Sequence, residues 1–117
     1  MRKATYFMDV DGVIIKHKGA TSIEQWHGHH ELLPGVREWF AQREKEGDCI
    51  VLTTARKECC RQELETCLRG WGLFWDQLVM GITSGSRVLI NDGNPNGQYT
   101  TASIQLTRNE GLCRLLL

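Results

Sequence analysis

The 117-residue sequence lacks a surplus of charge: 14 basic side chains stand against 14 acidic ones, and the formal net charge is zero. That balance argues against a dedicated nucleic-acid or anionic-membrane binder, which needs a basic excess, and leaves only local patches such as Lys16–His17–Lys18. Long apolar runs are missing too. Cys49–Leu52 and Val88–Ile90 fall far short of the ~20 residues that span a bilayer, so no membrane partner is expected. Arg2 and Lys3 could open a signal peptide, but Asp9 and Asp11 interrupt the apolar run behind them, and the expected location is cytoplasmic. There is no CxxC pair. Cys49, Cys59, Cys60, Cys67 and Cys113 make an odd count of 5, which favours reduced thiols and gives zinc binding little support. Repeats and low-complexity tracts are absent, and this length supplies one core, so a single domain over 1–117 is expected.

What is present reads as strands alternating with helices. Thr5–Val10 is a short aromatic and β-branched run that stops at Asp-Val-Asp-Gly, the pattern of a buried strand. Residues 13–33 have no sustained period and read as a flap, with a short hairpin near Ile14 and Ile15. Pro34 and Gly35 open a helix whose Val36, Trp39, Phe40 and Arg43 follow helical spacing and whose stop is Gly47. Cys49–Thr53 is a second buried strand. In Lys57–Gly70, Cys60, Leu64, Cys67, Leu68 and Trp71 share one helical face. Leu78–Met80 is a weak strand, Arg87–Ile90 a stronger one, Gly93–Gly97 a turn and Ala102–Leu106 a last short strand. The tail Gly111–Leu117 is either a docked terminal turn or a contact surface. Alternation of this kind implies right-handed crossovers and an α/β fold, a mostly parallel sheet covered on both faces.

Polar groups fall where such a sheet binds ligands. Asp9 and Asp11 follow the first strand, Thr53 and Thr54 the second, Asn91 and Asp92 the strand at Arg87–Ile90. The carboxyl ends of parallel strands share one edge, which would gather residues some 40 positions apart. A carboxylate there can accept a phosphoryl group as an aspartyl phosphate while its neighbour moves a proton. Repulsion between that carboxylate and the phosphate calls for a divalent cation, and Asp9, Asp11 and Asp92 are hard oxygen ligands of the type Mg²⁺ prefers. Thr53 or Thr54 can donate to a phosphate oxygen, and Arg56 and Arg87 are the candidate cations for developing charge. Each piece alone is a common turn; their joint placement on one edge is the signal.

These residues resemble a known family. Tyr6-Phe7-Met8-Asp9-Val10-Asp11-Gly12-Val13 resembles the first motif of the haloacid dehalogenase-like superfamily of phosphatases and phosphotransferases. Ile50-Val51-Leu52-Thr53-Thr54-Ala55-Arg56 is similar to its second motif and Val88-Leu89-Ile90-Asn91-Asp92 to its fourth. The resemblance implies a Rossmann-like three-layer sandwich and a Mg²⁺-dependent phosphatase acting on a small phosphorylated substrate, a sugar phosphate or another metabolite. It assigns Asp9 as nucleophile, Asp11 as general acid and then base, Thr54 rather than Thr53 as the phosphate-binding hydroxyl, and Asp92 as a metal ligand with the Asp9 carboxylate and the Val10 carbonyl, Asn91 assisting.

Two departures stand out. The family's third motif supplies a lysine before the fourth, yet no lysine follows Lys57; Arg87 is the candidate substitute and Arg56 its rival, since a guanidinium can hold phosphate bidentately. Many members carry two acids in the fourth motif where this chain has Asn91-Asp92. Neither 11–34 nor 56–87 has room for a cap domain, so the chain resembles capless members, whose open site takes a bulky substrate or is covered by a neighbouring subunit in a homo-oligomer. Leu32–Val36 and Arg108–Gly111 are similar to capless members of sugar-phosphate and capsule metabolism. The alternatives are a phosphotransferase, or a catalytically weak or inactive binding and assembly module on the same fold. His27, His29 and His30 lack ligand spacing and read as a solvated loop. Trp39 and Trp71 read as core.

Overall fold

A computed structural model of the chain describes residues 3–19 and 23–117. Its elements are β1 (Thr5–Asp9), α1 (Ile23–His27), α2 (Val36–Glu46), β2 (Cys49–Thr53), a 3₁₀ turn at Glu58–Cys60 running into α3 (Arg61–Gly70), β3 (Gln77–Val79) and a terminal 3₁₀ turn at Cys113–Leu115. The three strands form one parallel sheet in the order β1-β2-β3. Its register sets Asp9 beside Thr53 and Thr53 beside Val79, so the carboxyl ends of all three strands share an edge. No described helix is long and apolar enough to cross a membrane.

Alternation along the strands decides what is covered. Met8, Ile50, Leu52 and Leu78 point to one face and pack with Val36, Trp39 and Phe40 of α2 and Leu64 and Leu68 of α3 in the buried core. Both crossovers run the same way across the sheet, and right-handed connections then place both helices on the same side. The opposite face carries Phe7, 62% exposed, and Val79, 41% exposed. The expected cover on both faces is therefore met on one face only among the described residues, because no helix follows β3 to reach the other.

The helix ends follow their sequence signals. Gly47 closes α2 at φ 74, its N–H bonded to the carbonyl of Glu44. At the other end Gly35 is the N-cap at φ 77, so the helix begins one residue after the expected Pro34–Gly35 opening. A Cβ on Gly35 would lie 2.6 Å from the backbone nitrogen of Cys113, and one on Gly111 only 2.2 Å from the Pro34 carbonyl oxygen. These two glycines let the tail dock: Leu112 is fully buried and donates its N–H to Pro34 O at 2.8 Å. Of the two readings of the tail, docking holds. Arg43 ties α2 to the strands, bonding Tyr6 Oη at 2.9 Å and Asp48 at 3.1 Å with its side chain 11% exposed.

In the flap, Lys16 N–H bonds Glu31 O and Leu33 N–H bonds Ile14 O, an antiparallel contact where the hairpin was expected, with α1 enclosed. Flap residues 20–22 lie outside the described residues. β3 falls one residue earlier than Leu78–Met80. Arg87–Ile90 and Ala102–Leu106, both expected as strands, pair with nothing, and Val88, Leu89 and Ile90 are 80%, 57% and 90% exposed. The connection explains the first. A parallel strand needs a crossover of about a dozen residues, and only Met80–Ser86 separates β3 from Arg87. Ala102–Leu106 is left without the neighbour it would have paired. The turn expected in Gly93–Gly97 is present, Gly97 N–H bonding Asn94 O.

Candidate functional site

The turn after β1 is built on one carbonyl. Val10 O accepts the N–H groups of Ile14 and Ile15 at 2.9 and 3.1 Å, which wraps the chain back on itself, and Gly12 takes the φ of 92 that the wrap demands. This leaves Asp9 and Asp11 on the carboxyl edge of the sheet, lining a cavity of about 820 Å³ with His17, Gln25, Trp26, Ala55, Arg56, Ser84, Gly85, Arg87 and residues 105–108.

The two carboxylates live in different surroundings. Asp9 is about half exposed to the cavity; its Oδ1 accepts the Val10 N–H at 3.1 Å and lies 3.8 Å from Arg87 Nη2. Burial raises its pKa above the ordinary carboxylate value, the facing Arg87 opposes that rise, and the charge of Asp11 adds to it. Asp11 is committed to protein groups. Its Oδ1 accepts Arg56 Nη2 at 2.7 Å and Gln25 Nε2 at 2.5 Å, and its Oδ2 accepts Arg56 Nε and Thr54 Oγ1, both at 3.2 Å. Arg56 and Thr54 are 1% and 0% exposed. The Thr54 hydroxyl also accepts the backbone N–H of Arg56 at 3.1 Å, so the second βα turn is fastened to the first. His30 Nε2 lies 3.3 Å from Arg56 Nη1, and burial followed by that guanidinium lowers its pKa.

The geometry sorts the expected residues. Asp9, Asp11, Arg56 and Arg87 meet at the cavity, and the two arginines divide the acids: Arg87 faces Asp9, Arg56 holds Asp11. Thr54 and, through Nε and Nη2, Arg56, both expected on phosphate, donate to Asp11 instead, because a largely buried carboxylate needs its lone pairs filled. The expected metal set does not assemble. The Val10 carbonyl is taken by the turn, Asp11 has both oxygens engaged, and Asn91 and Asp92 lie on the exposed segment outside the cavity. There Asn91 Nδ2 donates to Thr100 Oγ1 at 3.0 Å, and that hydroxyl donates to the Asp92 carbonyl at 2.7 Å. Among the described residues no three His, Cys, Asp or Glu side chains are arranged to hold a metal ion. Within one chain, the residues present do not fit a Mg²⁺ site.

Gln25 and Asn109 are participants that no sequence signal assigned to the site, and His17, expected only within the basic Lys16–His17–Lys18 patch, joins them. Gln25, 2% exposed, reaches Asp11 and also accepts the Lys18 N–H at 2.5 Å; a lone glutamine in a five-residue helix carries no sequence signal. His17 lines the cavity from the flap. Asn109 sits at φ 68 and clamps His17, accepting its N–H at 2.7 Å and donating to its carbonyl at 3.1 Å. An Asn in Arg108–Gly111 is a readable cue for that left-handed turn.

No protein-family model matches the sequence, and no curated protein does. Among solved structures, a chain of the Pnkp1/Rnl/Hen1 complex superposes with a TM-score of 0.57 at 22% sequence identity, covering 74% of this chain and 30% of that one. The likeness is one of fold, and this chain spans less than a third of its neighbour's length.

Proposed function

We propose that the chain is a capless phosphoryl-transfer domain of the haloacid dehalogenase-like kind, hydrolysing small phosphomonoesters, sugar phosphates among them, through Asp9. One observation carries the reading: a half-exposed carboxylate at the carboxyl edge of a parallel sheet, opposite a cavity-facing guanidinium, with a second carboxylate two residues on. An oxygen of Asp9 attacks phosphorus, and the bond to the leaving oxygen breaks with its electron pair; that oxygen takes a proton from cavity water. Water then attacks the aspartyl phosphate and gives its proton to Asp11, which passes it to the hydroxide left by the first step, and inorganic phosphate leaves with both carboxylates restored. Asp11 takes that proton only by exchanging one of the donors that fill its oxygens, the neutral Thr54 hydroxyl at 3.2 Å being the longer of its two neutral contacts. Arg87 stabilises the charge gathering on the phosphoryl oxygens.

An aryl phosphate, whose leaving group needs no proton, is the substrate to begin with, assayed with and without added Mg²⁺. Asp9→Asn is expected to lose ~10³-fold or more and Arg87→Ala ~10²-fold. Activity retained in Asp9→Asn sinks the assignment. A phosphotransferase is distinguished by phosphate appearing on an added alcohol instead of in water. A second reading, a binding or assembly module without turnover, is favoured by Asn91 and Asp92 lying outside the cavity, and it predicts no hydrolysis across a panel of phosphorylated metabolites.

A further inference from the structure

Two exposed surfaces of this chain, an apolar extended arm and an unpaired strand edge, do not pair with each other. The first is the arm of residues 88–104, with Val88 80%, Leu89 57%, Ile90 90%, Tyr99 96% and Ile104 62% exposed. The second is the free side of β1. Ala4 O accepts Cys49 N–H and Val10 N–H bonds Thr53 O, so the even-numbered residues of β1 turn their backbone groups to β2. Those of Thr5, Phe7 and Asp9 point to the unpaired edge, and Phe7 adds an exposed ring beside it. An unpaired edge next to an apolar strand sequence is a template for strand addition.

The chain cannot satisfy itself. Gly81 and Ile82 are tied to the second βα turn by bonds to Arg56 O and Thr54 O, so the seven-residue connection Met80–Ser86 has little slack. That is far less than a parallel crossover needs. The molecule is elongated: the extents are 48 × 28 × 25 Å, and the radius of gyration is 14.8 Å, against about 13 Å for a compact chain of this length.

We propose that two copies exchange this arm, Val88–Ile90 of each adding as a parallel strand to the β1 edge of the other. The pairing is isologous and closes on itself, so both edges are used at once. It also moves the fourth motif. A parallel strand ending at Asn91 beside Asp9 carries the partner's Asp92 to the carboxyl edge, the position it does not reach within its own chain. The catalytic consequence rests on the reading of Asp9 as nucleophile; the exchange itself does not.

The test uses the full chain. Light scattering gives twice the chain mass, and Leu89→Glu, at an exposed position outside the core, gives a monomer with unchanged circular dichroism. A photo-crosslinking side chain at position 89, in a mixture of ¹⁴N and ¹⁵N protein, links to residues 5–9 of the differently labelled copy. A monomer up to 100 µM (roughly ten-thousand-fold above a tight dimer's Kd), or crosslinks confined to one isotope, overturns the proposal whether or not the protein turns over phosphate. If the wild type is active, co-refolded Asp9→Asn and Asp92→Asn chains recover about a quarter of its rate, since half the dimers are mixed and each holds one complete site. No recovery beside an active wild type overturns the contribution of the partner's Asp92.

Discussion

Asp11→Asn tests the site at its most constrained point. The side chains of Arg56 and Asp11 are 1% and 15% exposed and meet through two bonds, Nη2–Oδ1 at 2.7 Å and Nε–Oδ2 at 3.2 Å. Removing the carboxylate charge leaves a desolvated guanidinium without its counter-charge, its other side-chain polar partner among the described residues being the ring of His30 at 3.3 Å. Breaking one side of such a pair costs about 3–5 kcal/mol. A domain of this size has about 5–15 kcal/mol in all, so the variant is expected to melt roughly 10–30 °C below the wild type. Arg56→Met/Asp11→Asn removes both charges and is expected to recover at least ~1 kcal/mol relative to the sum of the single changes. Thermal and urea denaturation followed by circular dichroism give both numbers. An Asp11→Asn protein melting within ~3 °C of the wild type, with the double variant additive, would show that the pair does not organise the two βα turns.

Two further outcomes follow from single positions. Gly111→Ala places a Cβ 2.2 Å from Pro34 O at a φ of 82 and is expected to cost more than ~2 kcal/mol by releasing Leu112, whereas Gly97→Ala, at φ 83 with no atom within 4 Å, costs only ~1 kcal/mol; equal losses in urea titrations would deny the tail its docking role. Asp9→Asn is expected to raise the melting temperature at pH 7. The folded pKa of Asp9 lies above its ordinary value, chiefly through burial, so the stability of its neutral form is complete below the ordinary value of 3.8 and is lost as pH rises through the folded value. The gain in Asp9→Asn therefore fades as pH falls toward and below 3.8, and a variant less stable than the wild type at neutral pH contradicts the sign.

The parts of the fold that were legible in the sequence are those whose signal is local. Gly47 after the Val36–Arg43 spacing marked the end of α2, and the Cys60–Leu64–Leu68 stripe marked the buried face of α3, because both depend on neighbours within a turn or two. β1 and β2 were legible for the same reason, short apolar runs ending in polar turns. Val88-Leu89-Ile90 carries an equally strong apolar signal and forms no strand. Apolar character says that a segment gains by being covered; it does not say that the connecting chain can carry it to the surface that would cover it. The same gap explains the sheet's open face, since Phe7 and Val79 have the residue types of buried strand positions and only the missing further layer leaves them exposed.

The candidate site divides along the same line. Asp9 and Asp11 belong to one βα turn, Thr54 and Arg56 to the next, and the β1–β2 register fixes one turn against the other, so their meeting required only that two adjacent strands pair as their patterns suggested. Their roles were less legible than their positions. Which arginine faces which acid depends on Arg87 bonding the carbonyls of Thr83 and Gly85, and on Gln25 arriving from the flap, contacts that no motif encodes. Asn91 and Asp92 needed a third strand to arrive by a non-local route, and seven residues of connection do not supply one. A motif thus contributes to a site only when the chain that carries it, or a second copy of it, can reach the same edge. For this protein that makes the reach of residues 80–86 the quantity on which a complete acidic cluster depends: lengthening the segment by about six residues, to the dozen a crossover needs, is expected to let Val88–Ile90 pair with its own β1 and turn the exchanged dimer into a monomer. A lengthened chain that stays dimeric would show that something other than the short connection keeps the arm from its own sheet.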